Sequence, residues 1–100
     1  MRIIKRSTLK DFSESYPDAE GASKTWFHEV KRANWTKPQD VKEKYRTASI
    51  IGNNRVVFNI GGNKYRLIAE INYPKQIVMI RFLGTHEQYD KVNAKEVKQW

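Results

Sequence analysis

The sequence predicts an α+β domain: an N-terminal strand, two antiparallel helices, then a C-terminal antiparallel meander ending in a short helix. Three observations carry this prediction. Apolar residues recur at helical spacing from Leu9 to Ala33, and they alternate with polar ones from Arg55 to Leu83. Gly61-Gly62-Asn63 and Pro74-Lys75 then break the alternating part into hairpins. The whole chain, residues 1–100, reads as a single domain, with 39% aliphatic and aromatic residues to fill one modest core.

The elements follow in order. Met1 to Lys5 reads as a short strand, with Ile3 and Ile4 as its apolar content. Ser7 or Thr8 can cap the next helix, because a hydroxyl accepts from the free N–H groups of a first turn. Leu9, Phe12 and Tyr16 form its apolar stripe, and Pro17 ends it. Asp18 is a candidate N-cap for a second helix over Asp18–Arg32, in which Ala22, Trp26, Phe27, Val30 and Ala33 share one face. Asn34 to Ala48 is mostly solvated, though Pro38 suits a first helical position and Val41 and Tyr45 can face the core from a short helix. Ser49 to Gly52 can add a brief strand.

In the meander, Val56, Phe58 and Ile60 share the inner face with Tyr65, Leu67, Ala69, Ile71 and Tyr73, and with Val78, Ile80 and Phe82. Val57, Ile68, Ile77, Met79 and Leu83 are placed outward, among polar residues. A two-residue turn at Gly62-Asn63 pairs Phe58 with Leu67 and Asn59 with Arg66. One at Pro74-Lys75 pairs Leu67 with Phe82 and Ile68 with Arg81. These registers keep apolar residues on one face throughout. They also bring Arg66 and Arg81 onto the same outer face, diagonal to one another. Such a mixed face calls for partial cover, by the C-terminal residues or by a partner protein.

The outer positions collect Arg55, Asn59, Lys64, Arg66, Asn72 and Arg81, and Gly84-Thr85-His86-Glu87-Gln88-Tyr89-Asp90-Lys91 follows directly. Arg55 faces Glu70, so it is either an internal ion pair or a substrate contact. Arg66 and Arg81 have no acidic residue at their paired positions, and unpaired arginines that close together call for an anion. His86 sits in a turn that begins a short helix, at the rim of this face, where an imidazole can exchange protons near neutral pH. Tyr89 falls on the same side one helical turn later or else packs as a core aromatic, and Lys91 adds a cation.

Charge and composition narrow the partner. With 19 Lys and Arg against 11 Asp and Glu, a net charge of +8 favours a polyanion: RNA, DNA or an acidic protein. The absence of cysteine excludes disulfides, thiol catalysis and Cys-ligated zinc, and two distant histidines argue against a transition-metal site. No cofactor is expected. No membrane span or signal peptide is legible, so a cytoplasmic protein is expected. Glycine-rich nucleotide loops and a nucleophile elbow are missing. Trp26 reads as core, whereas Trp35 and Trp100 read as interface or terminal residues.

Two C-terminal blocks then resemble a known family. Val56 to Ile68 with Ile71-Asn72-Tyr73, and Ile80 to Lys91, are similar to the HigB toxins of bacterial type II toxin–antitoxin pairs, within the RelE-like group. Arg2-Ile3-Ile4 and the Pro17-Asp18-Ala19-Glu20 break add to the likeness, which covers nearly the whole chain. The resemblance implies a RelE-like fold and an endoribonuclease cutting mRNA, generally on the ribosome. It implies a HigA-like helix-turn-helix antitoxin, through which alone the pair would reach operator DNA. It places Arg66, Arg81, His86, Tyr89 and Lys91 in the catalytic role, with Asn59, Lys64 and Asn72 as supporting positions; with Arg55 of the same cationic face these three make up the expected RNA-binding set. Glu70, on an otherwise cationic face, departs from the picture. A non-catalytic RNA- or ribosome-binding module is the alternative, and a basic face that docks an acidic protein is a second.

Overall fold

In a computed structural model, described over residues 1–98, the chain forms one sheet with helices on one face and a C-terminal segment on the other. Strand β1 (Arg2–Ile4) is followed by α1 (Ser7–Ser15), a 3₁₀ turn (Pro17–Ala19), α2 (Glu20–Arg32) and α3 (Pro38–Lys44). Strands β2 (Ser49–Ile51), β3 (Arg55–Ile60), β4 (Tyr65–Asn72) and β5 (Ile77–Thr85) and helix α4 (His86–Tyr89) complete the chain. The five strands lie in the order β1-β5-β4-β3-β2. The two outermost strands, β1 and β2, have only three residues each, and β1 runs parallel to β5. The predicted α+β class and element order hold, and among the described residues no helix is long and apolar enough to cross a membrane.

The helices cover the inner face because their stripes match it. Leu9, Phe12, Trp26 and Val30 meet Val56, Phe58, Leu67, Ala69, Ile71, Val78 and Ile80 in one buried cluster. Phe58 is its hub: Trp26 and Tyr45 meet it edge-on, with ring centroids 5.4 and 5.1 Å away, and Trp35 stacks at 6.4 Å. Trp35 is therefore a core residue, 5% exposed, and not the interface or terminal residue expected of it. Trp100 lies outside the described residues.

The first hairpin has the predicted register, with Phe58 opposite Leu67 and Asn59 opposite Arg66, and Gly61 and Gly62 supply positive φ at its turn. The second departs from expectation. Its register runs as predicted from Asn72–Ile77 to Ala69–Ile80, then slips by one, so that Ile68 faces Phe82 and Leu67 faces Leu83. Arg81 is the extra residue of this β-bulge. A one-residue slip exchanges the faces of everything after it. Leu83 thus joins the inner core, and Phe82 turns outward onto Val57 and Ile68, the reverse of the sequence-based assignment. Tyr89, Val92, Ala94 and Val97 pack over this outer trio, so C-terminal residues cover the mixed face.

Neither predicted side-chain cap forms. Helix α1 begins at Ser7 with no capping hydrogen bond, and Asp18 caps nothing. Asp18 is instead drawn across to the β3–β4 hairpin, where it accepts from Tyr65 Oη at 2.5 Å and Lys64 Nζ at 3.1 Å. The Tyr65 hydrogen bond, then Lys64, hold its carboxyl below the ordinary 3.8, and Asp18 in turn pushes the Tyr65 hydroxyl up to about 12. A carboxyl lowered by folding stabilises the fold above its unfolded value and stops doing so as pH falls through the folded one. Asp18→Asn should therefore destabilise the protein at pH 7 and flatten the acid limb of stability below pH 3.8, as read from urea midpoints across pH. An acid limb unchanged by the substitution would show that the contact is not populated in solution.

Candidate RNA-binding site

The chemistry-bearing residues divide into three groups once the sheet is built. Arg66 lies on β4 beside Asn59 of β3 and opposite Gly84 of β5, near the hairpin end of the outer face. Its side chain is half-buried, and its Nη1 is buried with no hydrogen-bond partner among the described residues. Leaving a buried guanidinium nitrogen unpaired is costly, and an acceptor brought by a ligand would satisfy it.

His86 opens α4 two residues past Gly84, and its Nε2 donates to the carbonyl of Asn63 in the β3–β4 turn. That bond leaves Nδ1 as the ring atom able to take a proton. The placement is fixed by a capping box: Thr85 Oγ1 accepts from Gln88 N at 3.2 Å, and Gln88 Oε1 accepts from Thr85 N at 2.9 Å. The sequence gives the signal as Thr85-x-x-Gln88. Tyr89, half-buried, leans on the Phe82 ring at 6.3 Å, and Lys91 is exposed just beyond. Arg66, His86, Tyr89 and Lys91 thus belong to the sheet end and the segment leaving it.

Gly84 makes this corner possible. A Cβ there would stand 2.5 Å from Phe82 Cζ and 2.7 Å from Gln88 Oε1, so any side chain collides with the outer core and the α4 cap together. Gly84→Ala should cost about 1–3 kcal/mol of overpacking in urea unfolding and also lower activity by displacing His86. A substitution neutral in both would mean that the Phe82 ring has room to move.

The second group is removed from direct contact. Arg55 is 3% exposed, and its Nη1 donates to the backbone carbonyls of Ala94 and Val97. Glu70, its register partner, lies 3.8 Å from its Nη2. Burial, the larger effect, pulls the guanidinium pKa down while Glu70 raises it. A buried arginine bonded in this way has nothing to offer RNA, so the internal-pair reading of Arg55 replaces the RNA-binding one. Arg81 is likewise occupied, against the expectation that it lacked an acid: its Nε and Nη2 donate to Glu70 Oε1 at 2.9 and 2.6 Å. The bulge explains the miss, since it takes Arg81 out of alternation and lets it reach Glu70. Arg66 and Arg81 do share the outer face, but among the described residues Arg81 has a carboxylate partner and Arg66 has none.

The third group has local work. Lys64 is ion-paired to Asp18, and Asn72 accepts from Lys75 N at 3.1 Å in the β4–β5 turn, at the end of β4 away from Arg66. These contacts occupy both residues away from the outer-face site expected of them. Asn59 keeps its place beside Arg66 while its Nδ2 donates to Thr47 O at 3.2 Å. Among the described residues no three His, Asp or Glu side chains group as metal ligands.

Residues 19–92 match the model of a family described as HigB toxin, the RelE-like toxic component of a toxin–antitoxin system. The chain is 28% identical over 96 residues to the mRNA interferase toxin HigB of Escherichia coli strain K12, covering 94% of this chain and 92% of that protein. The mRNA interferase HigB of Shigella flexneri matches to the same extent. A third mRNA interferase HigB, from Escherichia coli O6:H1, is 25% identical over 100 residues, covering 92% of this chain and 91% of its own length.

Proposed function

Because the chain belongs to the HigB family of RelE-like toxins, we propose that it is an endoribonuclease that cleaves mRNA and needs no metal to do so. The observation that carries this reading is Arg66, an outer-face guanidinium with an unpartnered nitrogen, beside the Asn59 amide and near an imidazole fixed by a capping box. Such a site suits a phosphate that brings its own nucleophile, the neighbouring 2′-hydroxyl of RNA. His86 Nδ1, or Lys91, takes the 2′ proton; the 2′-oxygen attacks phosphorus as the bond to the 5′-oxygen breaks. Tyr89 or the protonated His86 returns a proton to that oxygen. Arg66 stabilises the charge growing on the phosphate oxygens, an effect typically worth ~10²–10³ in rate. The products are a 2′,3′-cyclic phosphate and a 5′-hydroxyl.

The reading extends to partners. The family's place in toxin–antitoxin systems supports a HigA-like helix-turn-helix antitoxin that neutralises the chain and alone contacts operator DNA. The relatives' activity as mRNA interferases supports mRNA as the substrate, and we place the cleavage on the ribosome as part of the same proposal. Purified protein added to translating ribosomes should leave cut message with 5′-hydroxyl ends, and naked message should survive. Intact message in both mixtures would leave only a binding role, and cleavage of naked message would remove the ribosome from the reading.

A further inference from the structure

Three charged residues of the outer face are engaged with the chain itself, Arg55 buried and Glu70 and Arg81 partly exposed. Arg55 of β3 and Glu70 of β4 are register partners, and Arg81 reaches Glu70 from the bulge in β5. One oxygen, Glu70 Oε1, stands between the two guanidinium groups, 2.6 Å from Arg81 Nη2 and 3.8 Å from Arg55 Nη2. The Nη1 group of each arginine points at main-chain oxygens of a single segment, while Arg55 Nε is buried without a partner among the described residues. Arg55 Nη1 binds Ala94 O at 3.3 Å and Val97 O, and Arg81 Nη1 lies 3.4 Å from Lys98 O. Asn53 Nδ2 adds a bond to Lys95 O at 2.9 Å.

That segment has no ladder or long helix to satisfy its carbonyls. Residues 90–98 run as turns, so the guanidinium groups supply what secondary structure does not. Underneath, Val92, Ala94 and Val97 close over Val57, Ile68 and Phe82. The segment is continuous with α4, so Tyr89 and Lys91 are held from two sides: by the Thr85–Gln88 cap before them and by the arginines after them. Glu70, the residue with no place on an RNA-binding face, gains one as the counter-charge that lets Arg55 be buried.

We propose that Arg55, Glu70 and Arg81 form a latch that fixes the C-terminal segment on the sheet and thereby positions Tyr89 and Lys91, so that Arg81 acts as a positioning residue and not as a phosphate contact. Only the catalytic consequence rests on the nuclease reading. The fastening itself does not.

Glu70→Gln keeps the shape of the latch and removes its charge. The amides of Val92, Glu96 and Val97, which donate to Tyr89 and Asn93 oxygens, report on the segment. In hydrogen exchange they should open at least ~10-fold faster in the variant while β3 and β4 amides stay protected. On message in translating ribosomes the variant should lose about 10-fold in kcat with KM little changed. Arg81→Met leaves Arg55 paired and is read the same way, which also serves if Glu70→Gln fails to fold. Its RNA-binding salt slope separates the two roles, since losing one phosphate contact on single-stranded RNA lowers the slope by about 0.7. An unchanged slope with faster exchange over 90–98 supports the latch. Unchanged exchange in the folded variants, or a lowered slope for Arg81→Met, overturns it. If even the wild type leaves message intact on translating ribosomes, exchange alone decides the latch, and the failure counts against the nuclease reading.

Discussion

Replacing Arg66 with Met should lower mRNA cleavage by on the order of 10²-fold while leaving the protein at least as stable as before. The pairing of these two outcomes makes the test sharp. In the unliganded protein Arg66 contributes a half-buried cation with a nitrogen that nothing among the described residues accepts from, next to a β3–β4 ladder that needs no help from it. Methionine retains the stem's packing against the sheet and relieves the unpaired group. A residue retained for packing would behave the other way, costing stability and leaving turnover alone. Single-turnover cleavage and urea midpoints measured on the same preparations check both halves. Full cleavage by the variant would remove Arg66 from the site and with it the observation on which the nuclease reading stands.

Phe58→Ala should cost about 3–5 kcal/mol, the upper range for a buried aromatic truncation. Phe58 is 1% exposed and sits on the central part of the sheet where α2, α3 and the Trp35 loop converge. Truncation loses its burial, opens a cavity that Trp26 and Trp35 are too rigid to fill, and forfeits three aromatic contacts of about 0.5–1.5 kcal/mol each beyond burial. For a domain of this size that corresponds to a fall in Tm of roughly 12–40 °C. Chemical denaturation and thermal melts together read it. A loss below about 1 kcal/mol would mean that the inner core repacks freely, contrary to the interlocked rings described above.

How much of this was legible depends on where the determining contact lies in the chain. The first hairpin was readable to the residue because Gly61-Gly62-Asn63 fixes its turn and the apolar alternation fixes its face. The bulge was not. Phe82 and Leu83 are both large and apolar, so exchanging their faces leaves the pattern unaltered, and only the geometry of Arg81 reaching Glu70 distinguishes the two registers. Local rules also misplaced Asp18: its short-range use as a cap lost to Tyr65, 47 positions away. The α4 cap was signalled by Thr85 and Gln88, three positions apart and needing no tertiary information. At the candidate site, the cations were visible from alternation, but which of them are already taken was not. Arg55 and Arg81 are occupied by main-chain oxygens from residues 94–98, which no pattern in the strands themselves encodes.

The shortness of β1 and β2 has its own consequence. A sheet flanked by three-residue strands gives an incoming polypeptide almost no template for lengthening it. A neutralising protein that borrowed main-chain pairing would gain only a few bonds at either border. For the neutralising partner proposed above, recognition would then come from side chains meeting a face or a helix, which leaves its specificity open to change one substitution at a time.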